Sequence, residues 1–168
     1  MVEAALEINH WCAGEVMYQG TDMRTGSALE IYRSGVGRCG EEAVFVVNVM
    51  RSAGIPARPV YVPRWSHCDD NHAWVEVWCD GDWHYLGACE PEAVLDKSWF
   101  TNAASRAMMI GSRWYDRAMP DEKVIGKDGM NRIINLLGKY AKTRWITITV
   151  EDLDGTPAVS YTHLTLPT

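Results

Sequence analysis

The sequence predicts an α+β domain in which a buried helix packs on an antiparallel sheet, and three features of its central stretch predict it. Cys39–Gly54, CGEEAVFVVNVMRSAG, carries helix-end signals at both ends. His72–Trp78 alternates in side-chain character with a period of two, and Asp80-Gly81 is a two-residue hairpin signal that returns the chain through Trp83–Ala88.

Along the chain, Val2–Tyr18 sets Ala5, Ile8, Trp11, Cys12 and Val16 at helical spacing. This predicts an amphipathic helix that buries Ile8, Trp11 and Cys12. Gly20–Gly37, rich in Gly, Ser and Thr, reads as loop. Cys39–Gly54 holds enough Val for a strand, but its ends decide for a helix. Glu41 and Glu42 fall in a first turn, Arg51 in a last turn, Gly54 at C′ and Ile55 at C″, and Pro56 blocks continuation. Ala57–Val62 reads as a strand. In the next strand His72, Trp74, Glu76 and Trp78 share one side, and Ala73, Val75 and Val77 share the other. A short turn near Glu92–Asp96, a strand around Met108–Tyr115 and a helix over Met130–Tyr140 follow. Trp145–Glu151 alternates and ends at Asp154-Gly155, which reads as the opening strand of a separate β-domain.

The expected organisation is a core over residues 1–142, the first strand of a truncated β-domain over 143–158, and a tail over 159–168 excluded from fold reasoning. Val159–Thr168 resembles one translated frame of a transposase-type sequencing adapter. Both ends read as cut. Met1 leads directly into a helical pattern with no signal peptide, which leaves the compartment unassigned and an upstream signal open.

With 168 residues and a net charge of -6, the chain has no run of Lys or Arg able to follow a phosphate backbone, so nucleic acid is excluded as a partner. The longest apolar runs, such as Ala43–Met50, are far short of the roughly 20 residues needed to span a bilayer. Five cysteines without a C-x-x-C pair indicate neither a disulfide framework nor a zinc ribbon.

Cys39 opens the predicted helix, where the dipole and free N–H groups favour a thiolate and supply donors for an oxyanion. Gly37 and Gly40 leave its backbone open. Glu41 and Glu42 oppose a lowered thiol pKa, so a histidine must assist. GRCGEEAVFVVNVMRSAGIPARPVYV followed by HAWVEVWCDGDWHYLGACEPE resembles the transglutaminase-like superfamily over about Ala5–Phe100. In that family a Cys opens a helix, an R-x-x-GIPAR-type segment leads into the sheet, and H-A-W-x-E begins a strand. The ACEPE wording is similar to bacterial homologues of the Bacteroides type and, more distantly, to the peptide:N-glycanase branch. The resemblance implies a papain-like fold, a nucleophile at Cys39, a general base at His72 and no cofactor. It also implies amide chemistry on a protein or peptide substrate through a thioester, with water or an amine as acceptor.

The family's third residue, an Asp on the following strand, falls on Gly87. Glu76 lies about 13 Å along the strand from His72 and Asp82 roughly 20 Å, so neither reaches it. The hairpin register pairs His72 with Cys89 and sets Glu90 beside it, which makes Glu90 the first choice. Asp70 is the alternative, and a backbone carbonyl or Asn71 is a third reading. His67, Cys68, Asp69, Asp70 and His72 look like a metal cluster, but neighbours on an extended chain point to opposite sides, so a substrate-shaping loop is preferred. Trp65 and Trp74 flank the presumed cleft and are expected to contact substrate. Gly87 also motivates a rival from another class, a binding or scaffolding module that has lost catalysis.

Overall fold

A computed structural model describes residues 1–20, 24–115, 122–146, 151–153, 155 and 164–167. Two helices open the chain, α1 (Val2–Glu15) and α2 (Ala28–Ser34). Between and after them β1 (Met17–Tyr18) and β2 (Val36–Gly37) pair in parallel. The central helix α3 (Cys39–Ser52) leads into β3 (Ala57–Val62), β4 (His72–Cys79) and β5 (Asp82–Leu86). A one-turn helix α4 (Thr101–Ala104) precedes β6 (Gly111–Trp114), β7 (Val124–Asp128), β8 (Asn131–Asn135) and a second one-turn helix, α5 (Leu137–Tyr140). The six strands β3 to β8 form one antiparallel sheet in the order β5-β4-β3-β6-β8-β7. The last strands, β9 (Thr143–Ile146) and β10 (Leu164–Pro167), pair antiparallel with each other and, among the described residues, with no other strand.

The end of α3 follows from its sequence. Gly54 takes φ 80 at C′, its N–H reaches the Arg51 carbonyl, and the Ile55 N–H reaches the Met50 carbonyl. These are the paired closing bonds of a Schellman motif, with buried Ile55 as its apolar contact. The β4–β5 turn uses Asp80 at φ 53 and Gly81 at φ 95, the pair of left-handed residues that a tight hairpin needs. Its register sets Val75 opposite Leu86 and Cys79 opposite Asp82.

Both faces of the sheet are covered. Ala57, Val75, Val77 and Leu86 pack with Ala5, Cys12, Ala43, Val46 and Met50 from the helices. Val60, Val62 and Trp74 pack on the opposite side with Phe100, Ile110, Ile134 and Leu137. Beside this second core, Arg58 pairs with Glu76 at 2.6 Å and with Glu122 at 2.6 Å. Tyr140 donates to Glu76 at 2.6 Å, and the Trp74 indole donates to Tyr140 at 2.9 Å. The buried charges are therefore paired, as a low-dielectric interior requires.

Several expectations are corrected. The stretch read as loop contains α2, whose Ser27 accepts from the Glu30 N–H while Glu30 accepts from the Ser27 N–H in a capping box. The first helix stops at Glu15, and its buried residues are Ala5, Asn9 and Cys12. Trp11 is 47% exposed, resting its ring against Tyr32 and Phe45. The helix read over Met130–Tyr140 is instead strand β8 followed by α5, since β7 turns through Gly129 at φ 59 and pairs with β8. Of the strand read over Trp145–Glu151, residues 147–150 lie outside the described residues, as do Asp154 and residues 159–163 and 168 of the tail.

Candidate active site

Cys39 is the first residue of α3. Arg38 caps the helix, and Glu41 reaches back to accept from the Arg38 N–H at 3.1 Å and from the Gly26 N–H at 3.2 Å. This occupies one of the two first-turn carboxylates. The backbone N–H groups of Ala73 and Gly40 both favour the Cys39 thiolate by hydrogen bonding. Ala73 is the second residue of β4, directly after His72. The expected lowering of the thiol pKa is nevertheless reversed. Burial, the largest effect, holds the Cys39 thiol above its usual value of 9.0, and the Glu42 carboxylate adds to the rise.

His72 is buried among aromatic rings. Trp99 and Phe100 lie 4.8 and 5.0 Å away between ring centroids, Trp74 6.0 Å and Trp65 6.3 Å. Burial in this apolar box pushes its pKa down to about 4, against a smaller opposing pull from Asp70. Nε2 of His72 is buried without a hydrogen-bond partner.

Glu90 follows a tight corner. The Glu90 N–H reaches the Gly87 carbonyl at 3.2 Å, and Cys89 adopts φ 56 within the turn. Asn9 of α1 holds this corner from both sides, donating to the Gly87 carbonyl at 2.9 Å and accepting from the Cys89 N–H at 3.0 Å. The Glu90 carboxylate turns back over Gly87. A Cβ on residue 87 would lie 2.8 Å from the Glu90 Cβ and would overlap Oε2. Glu90 therefore fills the volume that a side chain at 87 would take, and Oε2 stands 3.9 Å from Nε2 of His72. Burial raises the Glu90 pKa, which the Trp99 indole N–H partly offsets.

Cys39, His72, Glu90 and Asp70 all line one cavity of about 430 Å³, together with Tyr18, Arg38, Asn71 and Trp99. Trp65 and Trp74 do not. Trp74 is fully buried and Trp65 nearly so, so both form the packed floor behind His72 and neither offers surface to a substrate. The aromatic side chains that reach the cavity beside His72 are Tyr18 and Trp99, and Trp99 is 62% exposed. Trp99 and Asn9 carried no sequence signal, because each acts through a contact made only in three dimensions. In the sequence Glu42 reads only as a charge beside Cys39. It is buried in α3, and desolvation, with Glu90 second, raises its pKa to about 8. His67, Cys68, Asp69 and Asp70 sit in an exposed loop. Among the described residues no group of three or more His, Cys, Asp or Glu is placed to hold a metal ion, and no helix is long and apolar enough to cross a membrane.

A cysteine at a helix N-terminus, sharing one cavity with the histidine that begins an antiparallel strand, defines a thiol-enzyme-like, papain-like fold. The family model for the transglutaminase-like superfamily matches residues 1–88, and the chain belongs to that superfamily. Among solved structures, the chain is similar to Legionella pneumophila LapG at 17% identity and a TM-score of 0.47, over 56% of this chain and 58% of that one. It is also similar to a candidate cysteine protease from Cytophaga hutchinsonii at 19% identity and a TM-score of 0.44, over 78% of this chain and 51% of that one. The chain thus spans little more than half the length of either protein. Among curated proteins none matches it.

Proposed function

We propose that the chain is a thiol-dependent amide-bond enzyme that transfers the acyl group of a protein or peptide to water or to an amine. The observation that carries this reading is the shared cavity of Cys39, at the N-terminus of α3, and His72, at the head of β4. His72 takes the Cys39 proton as the sulfur attacks the amide carbonyl, and backbone N–H groups at the start of α3 receive the developing oxyanion. Collapse breaks the C–N bond, and the imidazolium gives its proton to the departing amine. Water or an acceptor amine then attacks the thioester, His72 removes its proton, and the thiolate leaves. Glu90 orients His72 in place of the aspartate that the family has at position 87.

Limiting iodoacetamide with peptide mapping should label Cys39 before Cys12, Cys68, Cys79 or Cys89. p-Nitrophenyl acetate should leave an acetyl group on Cys39, and Cys39→Ala should abolish the burst of nitrophenol. Labelling that favours Cys68 or Cys89 would overturn the assignment. The rival of a non-catalytic binding module draws on one observation, the raised thiol and lowered imidazole, and predicts no acetyl-enzyme.

A further inference from the structure

Glu90 faces two donors that compete for it. The Trp99 indole N–H is 3.0 Å from each carboxylate oxygen. Nε2 of His72 is 3.9 Å from Oε2, beyond hydrogen-bond reach, and has no other partner. A buried polar atom left unpaired is uncommon and calls for an explanation. Here the missing acceptor is next to it. Closing the gap by about 1 Å would give a charge-assisted bond to His72, at the expense of the indole. Trp99 is exposed, its ring lies against His72, and it lines the cavity that holds Cys39.

We propose that Trp99 is a latch on Glu90: its indole N–H holds the carboxylate short of His72, and a substrate amide carbonyl that takes over the indole N–H releases Glu90 to His72. This rests on the roles given above to Cys39, His72 and Glu90, and it makes Trp99 a positioning residue. The chemistry that opens the latch is that of an extended peptide, which brings further amide carbonyls beside the one attacked. With the latch closed, the Glu90 carboxylate acts on His72 only across 3.9 Å, and burial opposes the charged forms of thiol and imidazole. With it open, a carboxylate on Nε2 favours the imidazolium and hence the thiolate. The titratable groups around Glu90 are His72 from β4, Glu42 from α3 and Cys89 from its own corner. Asp70 acts on His72 from the preceding loop.

The test is the rate of Cys39 alkylation by iodoacetamide as a function of pH in the wild type, Trp99→Phe, Glu90→Gln and the double variant. Trp99→Phe keeps an aromatic ring and removes the N–H. Its profile should shift to lower pH by about half a unit, which is about threefold in rate on the acid limb. Glu90→Gln should shift to higher pH, and the double variant should follow it. A Trp99→Phe profile that overlies the wild type or moves with Glu90→Gln overturns the latch and leaves Glu90's role intact. An unmoved Glu90→Gln profile overturns that role and the latch with it, and Cys39 unlabelled in all four proteins overturns the thiol reading itself. Trp99 lies at the surface, so the melting temperature of Trp99→Phe, measured alongside, should stay within about 2 °C of the wild type.

Discussion

At position 87 the residue the sequence lacks and the residue it has elsewhere account for each other. Gly87 leaves the space that the Glu90 side chain fills, so a methyl group there must displace a side chain already packed. Gly87→Ala should cost about 1–3 kcal/mol by overpacking, read as a lower urea midpoint, and should slow Cys39 alkylation as much as Glu90→Gln does. The double variant Gly87→Asp with Glu90→Ala returns the carboxylate to the strand and should recover alkylation above either single change. Failure of both expectations would mean that the Glu90 carboxylate has no bearing on His72. The placement of Glu90 beside His72 was legible because hairpin register is set by a two-residue turn and a fixed period. Its carboxylate's preference for Trp99 was not, since side-chain direction nine residues along an irregular loop has no period to read.

Among the elements, legibility followed the strength of local punctuation. Gly54-Ile55-Pro56 and Asp80-Gly81 fix where α3 and the β4–β5 hairpin end, whatever packs against them. Ser27 and Glu30 gave an equally local signal for α2, hidden by the Gly and Thr around it. Met130–Tyr140 went wrong for another reason. Its apolar residues fit a helical face, but the turn at Gly129 and the open edge of β6 decide for strand pairing, which is a tertiary preference. The first helix shows how a polar residue on a buried face can be missed. Asn9 bridges α1 to the Gly87–Cys89 corner, so its amide serves both the helix packing and the placing of Glu90. Asn9→Leu leaves the Cys89 N–H without its partner and the Gly87 carbonyl with the Glu90 N–H alone, and should cost about 2 kcal/mol. Chemical denaturation measures this, and a loss under about 1 kcal/mol would mean that water or a rearranged corner replaces the amide.

On the scale of the whole molecule, two buried groups on facing elements give stability an uncommon dependence on pH. The pKa of His72 is about 4 when folded, below its ordinary 6.5, so between these values the unfolded chain binds the extra proton and stability falls as pH falls. Glu42 behaves oppositely. Its pKa of about 8 lies above the ordinary 4.5, so the folded chain binds the extra proton, and the stability this gives is lost as pH rises through 8. From about pH 4.5 to 6.5 the two slopes cancel, and what remains is the fall with rising pH that the raised Glu90 carboxyl adds. Above 6.5 His72 is neutral in both states and Glu42 acts, reinforced by His84, whose pKa the hydrogen bond to Asp96 raises and which slopes the same way. The unfolding free energy should therefore change little across mildly acidic pH and fall by about 2 kcal/mol between pH 6.5 and 8, from one and a half units of Glu42 titration at about 1.4 kcal/mol each. Glu42→Gln removes the titrating group and keeps its size, so its curve should rise with pH to about 6.5, where His72 is no longer offset, and then stay level to pH 8 apart from the smaller contribution of His84. Urea titrations at half-unit intervals decide it. A wild-type curve that rises from pH 6.5 to 8, or a Glu42→Gln curve that falls as steeply as the wild type, would mean that the α3 carboxylate is ionised in the folded protein. Glu42 would then carry a full negative charge beside Glu90.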